Sequence, residues 1–171
     1  PAGYGKTTIA LHWLADLQRE AAWLTLDAAD CDNERFARYL VAALQGLSGE
    51  TFQKSQALLE AHTAPPWNYF CDVLVAEIAT LREHAVLVLD DYHTIQNMDV
   101  HQLLNELLNH PPRSLHLVIA SRIDPPINLI SYRARRMMHE IRTKDLRFNV
   151  QETAAFMERE LGTAAGDETK T

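Results

Sequence analysis

Apolar positions along the chain change their period from segment to segment, and those changes predict the elements. Over 6–19, Ile9, Leu11, Trp13, Leu14 and Leu17 alternate with Asp16 and Arg19 in a helical pattern that starts directly behind a glycine-containing turn. Residues 22–26 are short and apolar and run into Asp27, Asp30 and Asp32, as a buried strand followed by a loop would. Asp32 or Asn33 is placed to cap the next helix, in which Phe36, Tyr39, Leu40, Ala43, Leu44 and Leu47 recur at helical spacing, with Gly46 and Gly49 expected to stop it. A polar connector carrying Pro65 and Pro66 leads to a helix expected over 68–83, with Phe70, Val73, Leu74, Glu77, Ile78 and Leu81. The run 85–89 is continuously apolar and ends in Asp90 and Asp91, the profile of a parallel strand covered on both faces. A helix near 100–108 follows. A second such strand, 115–120, ends in Ser121 and Arg122 and is halted by Asp124, Pro125 and Pro126. A short last strand is expected over 139–142, a helix over 151–161 and a loose tail over 162–171. Trp13, Trp23, Trp67 and Phe70 fall within apolar patterns and are expected in the core. Apolar strands alternating with helices predict a parallel α/β sheet.

Composition narrows this picture without changing it. With 171 residues, 47% hydrophobic and 23% charged, the chain is long enough for a core and excludes disordered, collagenous and coiled-coil classes. Its apolar runs fall far short of the roughly 20 residues of a membrane span, and no export signal opens it, so a soluble, cytoplasmic protein is expected. Cys31 and Cys71 lack a second pair at zinc-ligand spacing and read as free thiols, and the 8 histidines, His93 and His101 included, read as structural. The net charge of -7 argues against nonspecific nucleic-acid binding. It conceals one basic stretch, however: residues 113–147 carry 8 basic and 3 acidic residues. Within it Arg133, Arg135 and Arg136, with only Tyr132 as an aromatic neighbour, read as a solvated helix face.

The candidate chemistry sits at the start. Gly3, Tyr4, Gly5, Lys6, Thr7 and Thr8 form most of the G-x-x-x-x-G-K-[ST] phosphate loop, lacking only its first glycine position. Gly3 and Gly5 let backbone N–H groups approach phosphate, and the helix behind them turns its positive end to the anion. Lys6 reaches the outer phosphates, Thr7 ligates Mg2+ and Thr8 adds a hydroxyl near the α-phosphate. Such a loop needs a carboxylate on a neighbouring strand, and the strand end 86–91 supplies two: Asp90 for the Mg2+ shell and Asp91 to polarise an attacking water. An acidic cap for the following helix is the plainer use of the pair. Arg122, at the C-terminal end of the next strand, is placed to sense a γ-phosphate, with a surface salt bridge or a turn-stabilising role as the competing readings.

These segments, together with Trp23, Leu24, Thr25 and Leu26, Arg35 and Phe36, Tyr39 and Leu40, the run from Val88 to His93, and the basic stretch through Asp145 to Phe148, resemble the nucleotide-binding domain of MalT-like, LuxR-type STAND regulators, relatives of AAA+, NACHT and NB-ARC proteins. The resemblance covers about 1–160. It implies a three-layer parallel P-loop NTPase fold of the ASCE/STAND type lacking its first strand, with a core over 1–149, the start of a helical lid over 150–161 and a tail thereafter. It further implies an ATP/ADP switch with Mg2+ and slow hydrolysis, self-association in the ATP state, and DNA binding only through a C-terminal module not contained in 1–171. By the resemblance, phosphate contacts fall to Gly3, Gly5, Lys6, Thr7 and Thr8, metal and water handling to Asp90 and Asp91, and sensing to Arg122. Because the strand before the phosphate loop, the lid and the sensor are not in this sequence, the chain reads as a fragment of a longer regulator that is poorly stable alone. The rival readings are a P-loop ATPase or kinase with fast turnover, and a STAND signalling protein with an effector that does not bind DNA.

Overall fold

The computed structural model describes residues 4–17, 19, 21–48, 52–63, 65–81, 85–109, 112, 115–147 and 151–152. These fall into two units, one comprising Lys6–Met138 and the other Pro1–Gly5 with His139–Thr171.

In the larger unit, helix α1 (Lys6–Leu17) leads to strand β1 (Ala21–Thr25), then α2 (Asn33–Ser48), α3 (Gln53–Glu60) and α4 (Trp67–Ile78). Strand β2 (Ala85–Asp90), α5 (Met98–Asn109), strand β3 (Leu115–Ile119) and α6 (Leu129–Ala134) complete it. The strands form a parallel sheet in the order β1-β2-β3, with Thr25 paired to Asp90 and Leu89 to Ile119. Every residue of β2 is buried, as its unbroken apolar run predicts for a central strand. Alternation divides the sheet residues between two faces. Leu87 and Leu89 join Ala22, Phe36, Leu40, Leu44, Phe70, Leu74, Leu104 and Leu107 in one cluster, whereas Val86 and Val88 are buried outside it.

Asp32 caps α2 by accepting the Arg35 N–H at 2.8 Å, as its position predicts. Upstream, Asp27 starts a 3-10 turn, Ala28–Cys31, in which Asp27 accepts from Ala29 N and buried Asp30 accepts from Asp27 N and from Arg35 Nε. The hydrogen bond to Asp30 holds the Arg35 guanidinium above its ordinary pKa.

Helix α2 passes through Gly46 to Ser48, because buried Leu44 and half-buried Leu47 keep the helix docked across that position. Helix α3 occupies what read as a polar connector; the Glu77 carboxylate on α4 accepts from Lys54 N (2.9 Å), Ser55 N (3.0 Å) and Ser55 Oγ (2.5 Å), satisfying two free backbone donors of its first turn. Trp13 is 42% exposed rather than core. The apolar residues of α1 spread around its circumference, so the edge bearing Ala10 is buried while Ile9, Leu11 and Trp13 face outward. Trp23 and Trp67 are half-buried and Phe70 is fully buried.

In the smaller unit, no strand forms over 139–142. Its lone aliphatic side chain, Ile141, is exposed, and Glu140 pairs with Arg142 two residues on. A single helical turn, α7 (Thr143–Leu146), follows, capped by the Asp145 carboxylate accepting from Arg142 N at 2.8 Å. Gln151 and Glu152 are helical; the remainder of the expected helix to 161, the tail beyond it and Gly49 lie outside the described residues. No helix among the described residues is long and apolar enough to cross a membrane.

Candidate nucleotide site

The site is built from one helix start and two strand ends. Gly5 takes φ +71, a left-handed conformation that side chains rarely adopt, while a Cβ added there would meet nothing within 4 Å. Glycine is therefore required by backbone geometry and not by crowding. Lys6, the next residue, opens α1 and is half-buried, and Thr7 and Thr8 lie exposed on the same first turn. A helix start of this kind presents unpaired N–H groups and a positive dipole end. Gly3 lies outside the described residues, and Tyr4 is half-buried in the smaller unit.

Thr7 Oγ1 donates a hydrogen bond to Asp90 Oδ2 at 2.8 Å, joining residues 83 positions apart. Asp90 ends β2 with 4% exposure, and its other oxygen accepts from Asp91 N at 2.9 Å. Each carboxylate oxygen therefore has a donor, as a buried charge demands. The threonine hydroxyl spends its single proton on Asp90 and keeps its lone pairs for a further partner. One hydroxyl oxygen beside one carboxylate fits Mg2+, a hard cation that takes few protein ligands and fills its remaining positions with water and phosphate. Among the described residues no group of three or more His, Cys, Asp and Glu side chains forms a self-contained metal cage.

Asp91 follows in the left-handed region, at φ 52 and ψ 34. Sparsely populated backbone of this kind persists where the surroundings over-determine it, and the hydrogen bonds do so here. Thr94 N (3.0 Å) and Thr94 Oγ1 (2.9 Å) donate to Asp91 O, Tyr92 N donates to Ala120 O (3.0 Å), and Ala120 N donates to Leu89 O (2.9 Å). The last two bonds tie the Asp90–Asp91 turn to the end of β3. Arg122 leaves that same strand end and is exposed. The Tyr92 ring is buried and its hydroxyl lies 2.6 Å from His101 Nδ1. Burial lowers the His101 pKa and raises that of Tyr92, which favours the neutral form of both partners of this hydrogen bond.

The structure thus brings Lys6, Thr7, Asp90 and Asp91 into one unit and links Thr7 to Asp90 directly. His93 Nδ1 lies 3.6 Å from Asp91 Oδ1, just beyond hydrogen-bond reach, and is buried without a hydrogen-bond partner among the described residues. Its two-residue spacing from Asp91 was the available signal. Arg133, Arg135 and Arg136 are exposed, and Arg133 comes within 3.8 Å of Asp124. Cys31 and Cys71 are free thiols, and burial pushes the Cys71 thiol up to about 12.

Residues 1–120 match the AAA ATPase domain family. The chain belongs to that family. It is 38% identical over 158 residues to the HTH-type transcriptional regulator MalT of Yersinia enterocolitica, and the same holds for those of Serratia proteamaculans and Yersinia pestis. Each match covers 92% of this chain, which spans 17% of the length of these relatives. The parallel sheet and the family match together make this an α/β P-loop NTPase domain of the MalT-like STAND type.

Proposed function

We propose that the chain is the ATP-binding switch domain of a signal-responsive, LuxR-type transcriptional regulator, with slow hydrolysis resetting the switch. The observation that carries this reading is the 2.8 Å bond from Thr7 Oγ1 to Asp90 Oδ2, which couples the helix start behind the phosphate loop to the end of the central strand. Gly5, Lys6, Thr7 and Thr8, with Gly3 and Tyr4 before them, would hold the phosphates, and Thr7 and Asp90 would hold Mg2+. The metal would neutralise charge on the outer phosphates. Asp91 orients the water that attacks the γ-phosphorus, the bond to the β–γ bridging oxygen breaks, and ADP and inorganic phosphate leave. Arg122, beyond the strand end joined to that turn, reads whether the γ-phosphate is present.

A switch works because contacts to the γ-phosphate exist in one state only, so nucleotide identity biases a two-state equilibrium. Self-association in the ATP state and promoter binding through a separate C-terminal module complete the proposal, with residues 1–149 as the NTPase core and 150–161 leading into a lid. The regulators this chain matches are named as HTH-type, which favours a DNA-binding effector over other signalling outputs. Single-turnover hydrolysis by the full-length gene product tests the assignment. Asp91→Asn should retain ATP binding and slow the chemical step, and unimpaired hydrolysis in that variant would overturn the role given to Asp91.

A further inference from the structure

We infer that His93 is a positioning residue for Asp91: its Nδ1–H donates to the Asp91 carboxylate and fixes the oxygen that faces the attacking water. The inference rests on the hydrolytic role proposed for Asp91. Three observations converge on it. His93 Nδ1 is a buried polar atom with no hydrogen-bond partner among the described residues, a condition that costs free energy unless another state relieves it. Asp91 Oδ1 is the carboxylate oxygen near it, at 3.6 Å, a gap too short to hold a bridging water and closed by a small torsion of the Asp91 side chain. Both residues sit on backbone that cannot drift.

Asp91 is locked in its left-handed conformation by the Thr94 bonds, and the Tyr92–Thr94 turn that carries His93 is anchored by Tyr92 N on Ala120 O, by Ile95 N on Tyr92 O at 3.1 Å, and by the Tyr92 hydroxyl on His101. The imidazole thus stands on an anchored turn beside a carboxylate that a side-chain rotation brings within hydrogen-bond reach. Once the bond forms, one oxygen of Asp91 is held and the other is aimed, which is how a supporting hydrogen bond improves a base without touching substrate.

The test uses the full-length gene product with His93→Leu, His93→Phe and His93→Asn beside Asp91→Asn. The asparagine amide nitrogen hangs from Cγ as the imidazole Nδ1 does, so His93→Asn keeps the donor and loses the ring. His93→Leu and His93→Phe should lower kcat by about 10–100-fold, the usual loss when a supporting hydrogen bond to a functional side chain is removed, with KM for ATP and the Kd for ADP unchanged. His93→Asn should recover most of that rate. Equal slowing by leucine and asparagine would make His93 a packing residue and overturn the inference, as would loss of ADP binding in both apolar variants. Wild-type rates in His93→Leu with Asp91→Asn slow would overturn it alone; wild-type rates in Asp91→Asn would overturn both it and the proposed role of Asp91.

Discussion

Thr7→Val preserves the shape of the side chain and removes one oxygen, and its consequences follow from two structural features. Asp90 is 4% exposed, and Thr7 supplies one of the two hydrogen bonds that hold its oxygens. A hydrogen bond to a charged group contributes about 1.5–3 kcal/mol, and because Thr7 is itself exposed we take a screened value of about 1–2 kcal/mol. That corresponds to roughly a 5–30-fold change in an equilibrium constant. If Thr7 and Asp90 jointly hold the metal, the loss falls on the metal-dependent part of nucleotide affinity. Calorimetric titration of ADP into the full-length gene product, in Mg2+ and in EDTA, separates the two parts. Thr7→Val should lose roughly 5–30-fold of the affinity gained from Mg2+, keep its affinity in EDTA, and be restored by Thr7→Ser. An equal loss in EDTA would mean that the hydroxyl supports the loop fold or contacts phosphate, and an undiminished Mg2+ gain would remove Thr7 from the metal shell.

Further outcomes are expected elsewhere in the molecule. Gly46→Ala, inside α2 with open space around the added Cβ, should stabilise by about 0.5–1 kcal/mol, read as a rise in Tm. Glu77→Ala should strip three donors of α3 of their partner, and hydrogen exchange should accelerate across Gln53–Glu60 while β2 stays protected. Burial lowers the His101 pKa below 6.5 in the folded state, so the unfolded chain takes up the proton first. Stability from this group is therefore complete above pH 6.5 and falls as the pH drops from there toward the lowered folded value; His101→Leu paired with Tyr92→Phe should flatten that part of a denaturation profile against pH.

The elements that build the candidate site were legible because their signals are local. An unbroken apolar run ending in two aspartates specified β2 and its acidic end, and the glycine-lysine-threonine turn marked the start of α1. What stayed hidden depends on partners far along the chain. The helix over 53–60 was passed over although its Gln, Lys, Ala, Leu and Glu residues favour helix, because it is only two turns long and the carboxylate that caps it stands on α4. The exposure of Trp13 depends on which edge of α1 packs, and an all-round apolar helix does not state that. A strand over 139–142 was expected, yet among the described residues no strand forms there and Glu140 pairs with Arg142. The Thr7–Asp90 contact is the site's largest gain over the sequence, which named both residues without showing that they touch.

The proposed switch depends on Lys6, at the turn beginning α1, binding nucleotide phosphate. Isothermal titration of ATP into Lys6→Ala full-length protein measures it directly. ATP binding should be abolished while the far-ultraviolet circular dichroism matches wild type, and unchanged ATP affinity in that variant would overturn the phosphate-loop assignment.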